Sequence, residues 1–197
     1  MSFEPNRFDP PKKYKTMDDL YAQALNYADW CLRESTPGMT YPALFILSAD
    51  GPPAYMVWSH EFGDEATKEE FTKTCRIFCA AHAATHALIV VEGWALFQTS
   101  HTLTVMPRES PDRVECVNFI TETRNQPCGL RVRPIIRTAN QKYFGLGDEI
   151  GSPGRMADSR FYPLLMSEQP EIPLRLAAKV VLESMGFHPV GFAPKSS

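Results

Sequence analysis

The chain has no surplus of positive charge. Its 197 residues carry 20 lysines and arginines against 23 acids, a net charge of −3. Without a basic excess there is little to displace counterions from a phosphate backbone, which argues against nucleic acid as a partner. Long hydrophobic runs are also missing. The most apolar stretch, residues 87–91, is broken at once by Glu92, far short of the roughly 20 residues a membrane helix needs. The first fifteen residues, MSFEPNRFDPPKKYK, mix charges with prolines and contain no apolar segment, so they do not read as a signal peptide. Five cysteines, an odd number with no secretion signal, fit free thiols in a reducing compartment. A cytoplasmic location is the expectation.

Catalytic signatures are scarce as well. There is no Gly-x-Ser-x-Gly elbow. The glycine-rich stretch from Gly145 to Gly151 lacks the lysine of a phosphate loop and carries Asp148 and Glu149, which would repel phosphate. No internal repeat and no low-complexity tract interrupts the chain.

What is present is the composition of an ordinary globular protein, 44% hydrophobic and 22% charged. Residues 1–15 read as a loose arm, because Pro5, Pro10 and Pro11 withhold backbone donors and Lys12, Lys13 and Lys15 favour water. Residues 16–192 read as one domain, and 193–197 as a loose tail. Thr16 and Asp19 are placed as a capping box for a first helix with apolar residues at helical spacing from Leu20 to Leu32. Residues 41–47 and 54–58 flank turn chemistry and predict a hairpin. A second helix is expected over about 67–84, opened by Thr67 and Glu70. Strands are expected at 86–99, central because it is apolar on both faces, at 113–123, and at 130–138, where Pro134 marks an edge. Residues 145–159 read as a loop. Pro173 opens a last helix and Gly186 ends it.

The expected fold is therefore α+β, a five-stranded, mostly antiparallel sheet with packed helices in the order α-ββ-α-βββ-α. That order resembles the profilin-like and roadblock-type folds, over about residues 16–186. The resemblance implies sensing, scaffolding and dimer formation as readily as catalysis. A second resemblance lies in the residues. Val91-Glu92-Gly93-Trp94 followed by Pro111-Asp112-Arg113-Val114-Glu115 is similar to a pattern in small uncharacterised bacterial and phage proteins. It brings no activity with it.

Four groups of residues invite chemistry. Cys75, Cys79, His82 and His86 follow at i, i+4, i+7 and i+11 and would line one helix face, with His82 and His86 as an adjacent pair of metal ligands. A helix would spread the four over about 16 Å, too far for one ion, and Cys75 and Cys79 share the core-facing stripe. Pro111-Asp112 with Glu122-Thr123-Arg124 loosely resembles a magnesium nuclease pattern, with arginine where lysine is expected and both parts flanking one strand. Glu92 interrupts an apolar strand, and alternation places it on one face with Leu88, Val90, Trp94 and Leu96. A carboxylate there pairs, with Arg113 or Arg131 as partner, or sits in a groove with a raised pKa. The fourth group is the glycine loop already described.

The reading that results is a binding or assembly module that forms a homodimer, because the strand ending at Thr138 would expose an edge. Its ligand-binding residues would be Glu92, Trp94, Arg113 and Glu115, and another protein could be its partner. The alternative is an enzyme with a site assembled around Glu92, Arg113 and Glu115, with His60 or His101 as base. A third reading is a metal-binding protein through His82 and His86. The sequence assigns no cofactor.

Overall fold

The first helix opens as its residues dictate. The Asp19 amide donates to Thr16 Oγ1 at 3.1 Å and the Thr16 amide to Asp19 Oδ2 at 3.0 Å, which satisfies two of the helix's orphan donors. A computed structural model of the protein describes residues 14–35, 38–58, 62–95, 110–155 and 161–187. His60, His101, Leu96 and the tail after residue 192 lie outside the described residues, as does the expected arm except for Tyr14 and Lys15.

The elements are α1 (Met17–Glu34), β1 (Ala43–Ser48), β2 (Ala54–Val57), α2 (Glu65–Ala81), β3 (Ala84–Ala95), β4 (Val114–Thr123), β5 (Gly129–Arg137), β6 (Tyr143–Leu146), β7 (Ile150–Arg155) and α3 (Ile172–Ser184). Among the described residues the chain is α+β, with three helices and an antiparallel sheet. Strand order is β2-β1-β3-β4-β5-β6, with β7 also paired to β5. β3 is central, as its two apolar faces predict. Ala87, Ile89 and Val91 enter the cluster shared with α2 and α3, while Leu88 and Val90 enter the cluster shared with α1. The sheet is thus covered on both faces, and the period of two along β3 feeds two cores. Tyr27 and Phe45 on one face, and Phe71 and Phe78 on the other, are among the largest fully buried side chains. Each such burial contributes about 1.5–3 kcal/mol.

Three expectations need correction. Among the described residues the sheet has seven strands rather than five, since the stretch read as a loop over 145–159 supplies the end of β6 and all of β7. Both run antiparallel to β5, on different halves of it: Ile135 pairs with Leu146, and Val132 with Ile150. They act as one strand interrupted at residues 147–149. Pro134 explains the interruption. It has no N–H to donate, yet its carbonyl accepts the Gly147 amide at 2.8 Å. A Cβ on Gly147 would lie 2.7 Å from Pro134 Cγ, so glycine is required there. It follows that β5 is not an edge strand, and the argument for a dimer from an edge ending at Thr138 loses its basis.

The second helix is also shifted. Its N-cap is Asp64, not Thr67; Asp64 Oδ1 accepts both the amide and the hydroxyl of Thr67 at 2.8 and 2.7 Å. At its far end the helix stops at Ala81, because Ala83 takes a positive φ of 49° and turns the chain into β3. α3 ends as expected: the Gly186 amide donates to Glu183 O and the Phe187 amide to Leu182 O, both at 3.0 Å, the pattern of a glycine-terminated helix. Among the described residues no helix is long and apolar enough to cross a membrane.

Candidate functional site

The α1-facing side of the sheet turns polar at one end. Glu92 and Trp94 come from β3. Glu115 comes from β4, directly opposite Trp94 and diagonal to Glu92, whose own cross-strand partner is Val117. Arg137, the last residue of β5, reaches the same place. Three of the four residues anticipated as a binding set are therefore brought together by register alone, and Arg113 joins them by laying its guanidinium 4.4 Å over the Trp94 ring.

The cation that holds the acids differs from the expected one. Arg131 lies 4.3 Å over Tyr21 and faces Asp18 at 3.5 Å. Arg137 instead grips Glu115 with two hydrogen bonds, each 2.7 Å. Its third contact, at 3.0 Å, is to the Gly38 carbonyl, where the chain leaves α1 with a φ of 83°. That contact fastens the 38–42 segment across the end of the sheet. The segment in turn presents its Thr40 amide to Glu92 Oε2 at 2.7 Å.

The two carboxyl groups also act on each other. They are not equivalent. The Arg137 guanidinium holds Glu115 below the usual carboxylate range. Burial, followed by the nearby charge of Glu115, raises Glu92 to about 7 against the opposition of the Thr40 amide. Glu92 thus keeps the proton and Glu115 the charge. Two thiols, Cys31 on α1 and Cys116 on β4, feel Glu92 as well, and burial pushes both up to about 11. They stay protonated at neutral pH and are not nucleophiles.

A cavity of about 290 Å³ opens on this arrangement, lined by Met39, Thr40, Pro42, Phe62, Glu92, Gly93 and Trp94. Trp94 is 43% exposed at its mouth. Thr40 is 2% exposed, and its Oγ1 finds no hydrogen-bond partner among the described residues. A buried hydroxyl without a partner costs about 1–3 kcal/mol, and the residue that carries it lines the cavity.

The other candidates disperse. His82 caps α2 and packs on Phe78, on the face shared with α3. His86 lies in β3 opposite Leu47 and Thr123, with Nδ1 3.0 Å from Thr85 Oγ1, on the α1 face. The positive φ of Ala83 breaks the helix between them, so the adjacent helical pair does not form. Cys75 and Cys79 lie in the α2 core, and all five cysteines are unpaired and buried. The two halves of the nuclease-like pattern sit at opposite ends of β4, roughly 30 Å apart at about 3.3 Å per residue. Glu122 is buried, with its carboxylate oxygens accepting the Leu164 and Leu165 amides at 2.7 and 3.1 Å. Among the described residues no group of three or more His, Cys, Asp or Glu could hold a metal ion.

Sequence reasoning missed Arg137 and Thr40. Arg137 had a trace in the alternation of Arg131, Arg133 and Arg137 on one face of a single strand. Thr40 had none, since its part is played by a backbone amide and an unpaired hydroxyl. Compared with protein-family models, with curated proteins and with solved structures, the chain matches none of them.

Proposed function

We propose that this protein is a binding module for a small molecule, held in the cavity between the 38–42 segment and the end of β3. The observation that carries the reading is that Glu92 and Thr40 line one cavity, Thr40 with a buried hydroxyl that finds no partner among the described residues. A protonated carboxyl and two aromatic side chains, Phe62 and Trp94, line a pocket of about equal polar and apolar character, a concave place where a few polar groups can orient a small molecule. An enzyme built on Glu92, Arg113 and Glu115 is less well supported, because Glu115 is committed to Arg137 and the neighbouring thiols are protonated. The test is a thermal-shift screen of metabolites on wild type and Glu92→Gln. A ligand at about 100 times its dissociation constant stabilises by roughly 2.7 kcal/mol. A hit shared unchanged by the variant would place binding elsewhere.

A homodimer remains the second reading, now on a different observation. Ile172, Leu176 and Val180, four residues apart on α3, are each more than half exposed. Beside them an apolar groove of about 580 Å³ runs between α2 and α3, lined by Ile77, Ala80, Leu174 and Val181. A stripe of this kind is characteristic of contact surfaces. Light scattering after size exclusion should give twice the chain mass for wild type and the chain mass for Val180→Glu. A wild-type monomer at high concentration removes the claim.

A further inference from the structure

Among the described residues Glu92 forms no ion pair, although the charge of Arg137 reaches it. Its contacts are the Thr40 amide and the Glu115 carboxyl. Arg137 is engaged by Glu115 in a two-pronged bond, both side chains largely buried at 16% and 22% exposure. A half-buried carboxylate with no ion pair of its own is costly, and in the free protein a proton meets that cost. A ligand can meet it by bringing its own positive charge.

We propose, building on the reading of the cavity as a ligand site, that it takes the protonated amino group of a small organic amine. The ammonium would donate to the Glu92 carboxylate, and to Thr40 Oγ1 once a turn of the threonine side chain opens that oxygen, which is closed to solvent in the free protein. This supplies the missing counterion and the missing partner of the hydroxyl at once. A neutral polyol or an amide would satisfy Thr40 but leave Glu92 needing its proton, and an anion would meet the charge of Glu115. The rest of the wall suits the carbon part of an amine. Phe62 offers an aromatic ring, which attracts cations, Trp94 already carries Arg113 on its ring, and Met39 and Pro42 are apolar. At about 290 Å³ the space lies at the lower end of ligand pockets, which limits the ligand to metabolite size.

Binding of the cation displaces the proton of Glu92, so affinity depends on pH in a defined direction. The groups that face Glu92 are Glu115, Arg137, Cys31 and Cys116; the thiols stay neutral and the Arg137–Glu115 pair stays ionised in the window concerned. Alkylamines keep their charge throughout. Affinity should therefore be greatest above about pH 7 and fall up to tenfold for each pH unit below it.

The experiment is calorimetric titration of the full chain with propylammonium and phenethylammonium, and with 1-propanol and propionate as neutral and anionic counterparts. Titrations are made near pH 8 and near pH 5.5, in two buffers of different ionisation enthalpy. The expected result is binding of the amines alone, at least tenfold weaker at the lower pH. Near pH 7 proton release should appear as a buffer-dependent heat. Binding should be lost in Glu92→Gln and weakened in Thr40→Val, with both variants shown to be folded by circular dichroism. Glu92-dependent binding of the alcohol or of propionate, without the amines, would overturn the amine and leave the cavity as a ligand site. Amine binding that survives both substitutions would also overturn it. The absence of binding by all four probes would overturn the amine, and the metabolite screen would then decide the cavity separately.

Discussion

Arg137→Met should lower the free energy of unfolding by about 3 kcal/mol at neutral pH, the cost of leaving one member of a largely buried ion pair behind. The substitution keeps most of the side chain's volume and removes its charge. Glu115 then loses both of its short hydrogen bonds and faces Glu92 without a cation. The Gly38 carbonyl loses its donor too, so the 38–42 segment is no longer tied to β5. Urea unfolding at constant m-value measures the loss. The effect has a pH signature. Arg137 holds the Glu115 pKa down, and a depressed carboxylate contributes stability above its unfolded pKa that is lost as pH falls through the folded one. The cost of Arg137→Met should therefore be full at pH 7 and shrink below about pH 4. Glu115→Gln in the same chain should recover part of it, because the uncompensated charge goes. A loss unchanged by pH and by the second substitution would mean that Arg137 contributes packing rather than charge.

Glu92→Gln should have the opposite sign. The folded chain keeps a proton on Glu92 up to about pH 7, whereas an exposed glutamate releases it near pH 4.3. The folded state thus binds more protons across that interval, and wild-type stability falls as pH rises through it. Glutamine has no proton to lose, can accept from the Thr40 amide and can donate to Glu115. Allowing for partial exposure, the variant should exceed wild type by about 2 kcal/mol near pH 8 and match it near pH 4. Of the facing groups, Glu115 titrates lower and Cys31 and Cys116 higher, and Arg137 stays charged. None of them contributes a slope of its own between pH 5 and 7. Unfolding curves across the range, on both proteins, check the claim; a variant less stable than wild type at pH 8 would show that Glu92 is ionised in the fold. The same substitution removes the proposed ligand site, so a chain that gains stability while losing binding would be a residue retained for function at a cost in stability.

Much of the fold could be read from the chain because it rests on neighbours in sequence. The reciprocal bonds of Thr16 and Asp19 need only three residues' spacing, and Gly186 needs only its own backbone freedom. Alternation along residues 87–94 suffices to put Glu92 on one face with Leu88, Val90 and Trp94. Where reading failed, the deciding partner was distant. Asp64 displaced Thr67 as the cap because, one turn earlier, its carboxylate accepts both the amide and the hydroxyl of Thr67. The glycines after residue 144 suggested a loop, yet backbone pairing to β5 makes no demand on side chains, and Pro134 asks for glycine opposite it.

What the sequence determined by itself, then, is the types of the three helices and of the first five strands, the central place of β3 and the face on which Glu92 and Trp94 stand, since each follows from local periodicity and capping. What the tertiary structure alone decided is which charges meet. Register between β3 and β4 sets Glu115 beside Glu92, the length of β5 brings Arg137 rather than Arg131 to them, and the turn at Gly38 delivers the Thr40 amide. A left-handed residue at Ala83 sends His82 and His86 to opposite faces of the sheet. The reason is physical: periodicity is a property of a segment, whereas a charge has its pKa and its partner only once segments far apart in the chain are packed within a few ångströms.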